Sequence, residues 1–172
     1  APARAAADAE GFFSAEASVA IDRSADPIDV TLRVVPGEAS RVRSVRIDVT
    51  GPAARDVPAG IDAIARTRDG WLLGPGAVFR NRGWEAAKAR AVDTMRASPY
   101  AAATIARSLA DVDPVERAAD LEVEIESGPP FSIGALEVRG LERYPLSVVR
   151  NFSTARRGDP YTREALDTFV RR

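Results

Sequence analysis

An α+β fold made of repeated small modules, each ordered strand, helix, helix, strand, strand, follows from three internal correspondences in the sequence. Ile47, Val49 and Gly51 stand 89 residues before Leu136, Val138 and Gly140, and each set reads apolar, polar, apolar, polar, Gly. Gly76-Ala-Val-Phe79 precedes Gly158-Asp-Pro-Tyr161 by 82 residues, so a Gly followed three residues later by an aromatic is a second landmark. Val30, Leu32, Val34 and Gly37 lie 91 residues before Leu121, Val123, Ile125 and Gly128. On this repeat the chain divides into the C-terminal part of a first module over residues 1–37, a complete second module over 38–128, and the N-terminal part of a third over 129–172. Each whole module is expected to be a three-stranded mixed sheet with two helices on one face, a two-layer arrangement that buries a single core.

In the first part, Ala3 to Glu10 is Ala-rich and suits a helix ending at Gly11. Phe12-Phe13, read as core packing, leads into a strand through Val19 and Ile21, and Asp26-Pro27 makes a turn. Ile28 to Val35 alternates apolar with polar residues as a strand does, and Pro36-Gly37 ends it.

The middle module opens with a strand from Val42 to Thr50 whose inward side is Val45, Ile47 and Val49. Ile61 and Ile64 stand at helical spacing within residues 53–67, so a short helix is expected there, with Pro58 and Gly60 near its start. Turn residues at Asp69-Gly70 and Gly74-Pro75-Gly76 flank Trp71-Leu72-Leu73. A longer helix follows from Asn81 to Ala97, with Asn81 as its N-cap. Its apolar stripe is Trp84, Ala87, Ala91, Val92 and Met95, with Glu85, Arg90, Asp93 and Arg96 outward. That spacing is the signature of a helix packed on a sheet, not of a cofactor box. Leu121 to Glu126 alternates without interruption and is the best-defined strand, with an acidic face toward water. The acidic residues Asp111, Asp113, Glu116 and Asp120 lack the ligand spacing and central Gly of a calcium loop, so no metal site is expected.

Ala102 to Ala110 is the weakest strand, because small side chains and poor alternation leave its register loosely specified, as at a sheet edge. An edge strand presents unpaired backbone N–H and C=O groups, to which an extended peptide can add. Ala103, Thr104, Ile105, Ala106, Arg107, Ser108 and Leu109 are therefore the candidate partner-binding residues, against the alternative of an edge that ends the sheet and binds nothing. Gly37 and Gly128, with Pro129 and Pro130, are the candidate joint, Gly permitting unusual backbone angles and Pro restricting them. In the third part, Leu136 to Arg139 reads as a strand closed by Gly140, followed by an amphipathic segment, the Gly158 turn and the start of a second helix.

Charges balance at 24 basic against 25 acidic residues, so there is no electrostatic case for nucleic acid. The segment has no Cys and no His, which excludes disulfide, thiolate and imidazole chemistry. It also lacks a Gly-rich phosphate loop, a nucleophile elbow and a convergent carboxylate pair, so no enzymatic activity and no cofactor are expected. No apolar run approaches the roughly 20 residues of a membrane helix. The Ala-Pro start has neither the basic region nor the apolar core of a signal peptide, so any targeting segment is expected upstream or already removed.

The element order, the Gly closing each first strand, the Gly-x-x-aromatic before each second helix and the joint Ser127-Gly-Pro-Pro-Phe-Ser-Ile-Gly134 resemble tandem polypeptide-transport-associated (POTRA) domains. That joint, with Gly11-Phe12-Phe13-Ser14-Ala15 and the Arg157-Gly-Asp-Pro-Tyr161 turn, is most similar to the TamA family of translocation and assembly module subunits. The region between Gly51 and Gly76 departs from the third copy, being longer and holding extra Pro and Gly. The resemblance implies a periplasmic, non-catalytic arm of an outer-membrane protein assembly machine, with its own C-terminal β-barrel outside this segment. It also implies unfolded outer-membrane protein clients and an inner-membrane-anchored, TamB-like partner. The alternative is a POTRA-like structural module of another secretion or division complex, such as a two-partner secretion transporter or a BamA-type insertase arm.

Overall fold

The computed structural model describes residues 2–24, 27–55, 58–140 and 156–171. Helix α1 (Pro2–Ala9) ends in Gly11, whose φ of 95° reverses the chain. Strands β1 (Glu16–Asp22) and β2 (Asp29–Val35) pair antiparallel, with Val19 opposite Leu32 and Ile21 opposite Val30. Next come β3 (Arg41–Thr50), a 3₁₀ turn (Pro52–Ala54), α2 (Pro58–Asp69), α3 (Asn81–Arg96), β4 (Thr104–Asp113), β5 (Ala118–Glu126) and α4 (Arg163–Val170). The middle of the chain thus carries the expected strand, helix, helix, strand, strand order.

β3, β5 and β4 form a three-stranded sheet in that spatial order, with β5 in the centre. The β3–β5 pair is parallel, because Ser44 meets Asp120 and Thr50 meets Glu126 at the same separation of 76 residues. The sheet is mixed, since β4 reaches β5 through a tight turn. Asp113 Oδ1 closes that turn by accepting from the N–H groups of Val115 and Glu116.

Contacts divide the chain into two compact units, and β3, α3, β4 and β5 each contribute to both. The first comprises Ala1–Arg46, Leu72–Lys88 and Ser108–Val123. Its buried residues include Val42, Leu73, Phe79, Trp84, Ala87, Leu121 and Val123. The second comprises Ile47–Trp71, Ala89–Arg107 and Glu124–Arg172. There Ile47, Ala63, Ala91, Val92, Met95, Tyr100 and Ile125 are buried. The apolar stripe expected of α3 is buried throughout, as are the alternating Leu121, Val123 and Ile125 of β5.

Several expectations need correction. The short helix expected within residues 53–67 runs from Pro58 to Asp69, with Ile61 exposed and Gly60, Ala63 and Thr67 as its buried face. Small residues win because the helix lies close to the 3₁₀ turn: a Cβ on Gly60 would stand 2.1 Å from the Ala53 carbonyl oxygen. In β3, Ile47 is buried but Val45 and Val49 only half-buried, and Val42 is buried on the opposite face, since the separation of 76 residues from β5 holds at both Ser44–Asp120 and Thr50–Glu126. Asn81 is the first helical residue of α3, not its cap. Arg96 turns back from solvent, its Nε donating to the Ala103 carbonyl at 2.7 Å.

The weak strand runs from Thr104 to Asp113 and not from Ala102 to Ala110. Leu136 to Arg139 is not in a strand, since among the described residues no strand pairs with it. The amphipathic segment after Gly140 and residue 26 of the expected Asp26-Pro27 turn lie outside the described residues. α4 forms where a second helix was expected, capped by Thr162, whose Oγ1 accepts from Ala165 N–H at 3.1 Å.

Candidate functional site

A three-stranded sheet has two outer edges, and the chain treats them differently. On β3, the Val42 N–H donates to Ala77 at 2.9 Å and its carbonyl accepts from Gly76 N–H at 2.8 Å. The Arg41 guanidinium seals this stretch by donating to the Gly76 carbonyl at 2.8 Å. Further along, the Ile47 carbonyl accepts from Arg68 Nη2 at 3.1 Å and Nε at 3.3 Å. These bonds consume groups that an added strand would need.

On β4, among the described residues, no loop or side chain hydrogen-bonds the backbone from outside the sheet. Thr104, Ala106, Arg107 and Leu109 are exposed, Ile105 and Ser108 half-buried. Ser108 Oγ receives the Lys88 ammonium at 3.5 Å, and that ammonium also lies 5.0 Å above the Trp84 ring. Ala103 does not belong with the others: it is fully buried before β4 begins. Its N–H bonds Tyr100 and its carbonyl is occupied by Arg96, so neither backbone group is open to a partner.

The three residues that close β3, Arg68, Gly76 and Ala77, have no counterpart on β4, and the sequence did not mark them for that role. Arg68 is one arginine among many at a helix end, with no local signal that it turns toward Ile47. Gly76 and Ala77 belonged to a recognised landmark, the Gly-x-x-aromatic, but its pairing with β3 emerges only from the fold.

β5 carries an ion pair on the side away from the helices. Asp120 accepts from the Arg43 guanidinium and from Ser44 Oγ at 2.6 Å. The Arg43 hydrogen bonds, then the Ser44 bond, hold the Asp120 carboxyl down at about 2, from an ordinary 3.8, and Arg43 is raised in return. This is a clamp between strands; no acid–base pair of perturbed carboxylates accompanies it among the described residues.

The joint residues sit in close quarters. Gly37 has φ 71° and lies where a Cβ would come within 2.8 Å of Ser14 Oγ. Gly128 has φ 65°, with Ala102 Cβ at 3.0 Å from the same position. No side chain fits without displacement in either place, and Pro129 and Pro130 stand exposed beyond the second. In the second unit a cleft of about 170 Å³ is lined by Ile133, Leu136, Arg157, Leu166 and Phe169 among others.

No family model matches the sequence, and no curated protein matches it. Solved structures do. A crystal structure of Haemophilus influenzae BamA POTRA3-5 is 16% identical and covers 93% of this chain at a TM-score of 0.53. This chain spans 61% of that structure. BamA from Haemophilus ducreyi lacking POTRA domains 1-3 covers 75% of the chain, which spans 21% of it, at 16% identity and a TM-score of 0.42. The N-terminal domain of Omp85 from Thermosynechococcus elongatus covers 95%, with 65% of it spanned, at 14% identity and a TM-score of 0.36. The fold is that of POTRA domains.

Proposed function

We propose that this chain is a non-catalytic, periplasmic protein-binding arm of an outer-membrane protein assembly machine. Its POTRA-like modules are those bounded at residues 1–37, 38–128 and 129–172. It engages client or partner polypeptides by strand addition to β4, through the backbone of Thr104 to Leu109. The observation that carries this reading is the asymmetry of the sheet: the edge of β3 is occupied by Gly76, Ala77 and Arg68, while that of β4 is not. A machine receiving many unfolded barrel strands gains from recognition through main-chain groups, because those are common to all clients. The likeness to BamA POTRA3-5 supports the setting. The sequence motifs at Gly11–Ala15, Ser127–Gly134 and Arg157–Tyr161 favour a TamA-like member, with a TamB-like inner-membrane partner and a barrel of its own.

Binding of a fluorescent peptide copied from an outer-membrane barrel strand tests the proposal. Ile105→Pro removes an N–H from the edge strand and should weaken binding about tenfold or more, with the circular dichroism spectrum retained. Equal affinity in the folded variant refutes binding at this edge.

A further inference from the structure

The two joints of the chain are built from one set of backbone hydrogen bonds, used twice. In the first, Ser40 N–H donates to the Gly11 carbonyl at 2.8 Å, and the Ser40 carbonyl accepts from Phe79 N–H at 2.9 Å. In the second, Phe131 N–H donates to the Pro99 carbonyl at 2.8 Å, and the Phe131 carbonyl accepts from Tyr161 N–H at 3.0 Å. The next rung also recurs. Val42 N–H meets the Ala77 carbonyl and Gly76 N–H the Val42 carbonyl, just as Ile133 N–H meets Asp159 and Gly158 N–H meets Ile133. The isolated bridges Arg41–Val78 and Ser132–Pro160 are the same bridge at the same repeat offsets.

We infer that the Gly-x-x-aromatic segment is a latch that fixes each module to the one before it. The residue opening a module, Ser40 or Phe131, is the pivot. Its N–H is committed to the loop after the preceding module's second helix, and its carbonyl to the aromatic of its own Gly-x-x-aromatic. One residue therefore couples the preceding module to the edge of the following one. This inference rests on the modular reading above and names what sets the joint.

The bonds are all main-chain, so the pivot side chain is free to differ: Ser40 is buried, whereas Phe131 is exposed. The two joints are reinforced in different ways, the first by side chains and the second by a further main-chain bond. Phe13 and Phe79 place their ring centroids 5.9 Å apart in the first, and Arg80 pairs with Glu10 at 3.3 Å. In the second, Arg163 N–H donates to the Ala97 carbonyl at 3.0 Å. Gly37 and Gly128 then serve as turns that feed the chain into the latch, their positive φ straining any residue with a side chain.

The same segment explains the closed edge of β3. Residues 76–79 cover Val42 because they are the latch, so a module that carries its own latch element on its first strand leaves its β4-type edge for partners.

The chain contains no Cys, so introduced cysteines can be spin-labelled without a background. A label pair at exposed Arg90 and Glu164 reads the second joint, and a pair at Thr31 and Glu85 the first. A single narrow distance distribution is expected for each. Phe131→Pro, which removes the pivot donor, should abolish the single peak at the second joint and leave the first unchanged. Amide exchange of the unsubstituted chain supplies a test that needs no variant. Ser40, Phe79, Phe131 and Tyr161 should exchange at least about tenfold slower than an unstructured peptide. Exchange at peptide rates, broad distributions in the parent pairs, or a Phe131→Pro variant with its narrow peak intact each overturn the latch. Peptide binding at β4 is read separately, so the latch and the binding edge can fail independently.

Discussion

The hairpins β1–β2 and β4–β5 have second strands written in nearly the same pattern 91 residues apart, yet those strands lie in different surroundings. Leu121, Val123 and Ile125 are 1%, 2% and 0% exposed, whereas the corresponding Val30, Leu32 and Val34 are 60%, 54% and 42% exposed. Both hairpins pair, even though β4 alternates poorly, because in each one a regularly alternating strand, β2 or β5, offers its neighbour a partner. Of these strands only β5 is buried, since α3 brings Trp84, Ala87, Ala91, Val92 and Met95 to the core. Pairing is thus a local property of these strands, and burial is contributed by another element. Each buried aliphatic side chain stabilises by about 1.5–3 kcal/mol relative to exposure, so the covered hairpin carries far more of the fold's stability.

The largest expected effect separates the hairpins directly. Leu121→Ala should destabilise by about 2–5 kcal/mol in chemical denaturation, while Leu32→Ala should stay within about 0.5 kcal/mol. Equal effects would mean that the β1–β2 face is covered in solution. A smaller effect probes how the helices over the covered hairpin are seated. Gly60→Ala forces a Cβ to 2.1 Å from the Ala53 carbonyl and should cost about 1–3 kcal/mol. Gly83→Ala meets only Leu73 Cδ1 at 3.8 Å and should stabilise α3 by about 0.4–1 kcal/mol. Measured melting temperatures should therefore move in opposite directions. The smallest effect concerns the outer face of β5. Folding lowers the Asp120 carboxyl from 3.8 to about 2, so its ion pair stabilises above pH 3.8 and that contribution is lost as pH falls toward 2. Asp120→Asn should flatten the acid limb of stability in that window; an unchanged limb would show that the Arg43 clamp contributes nothing.

Much of this was legible in the residues. The α3 stripe and the β5 alternation were readable because one long helix and one half-buried strand impose periods of 3.6 and 2 on their apolar residues. The Gly landmarks were readable because positive φ restricts residue choice: Gly37 with Gly128, Gly51 with Gly140 and Gly76 with Gly158 all adopt it. The candidate strand was found with its start two residues early, which wrongly included Ala103. Nothing local marked Ile61 as exposed, because the reason lies in Ala53, a residue on another element. Likewise, the blocking of β3 by Arg68 is a contact across 21 residues that leaves no pattern in either neighbourhood.

By itself the sequence determined the strand, helix, helix, strand, strand order of the middle of the chain and the buried faces of α3 and β5, since these depend on spacing along the chain. Only the tertiary structure decided which sheet edge stays open and which hairpin is covered. It also decided how Ser40 and Phe131 share their N–H and carbonyl groups between neighbours. Those outcomes depend on main-chain groups that every residue carries alike, so composition and periodicity hold no record of where each hydrogen bond goes.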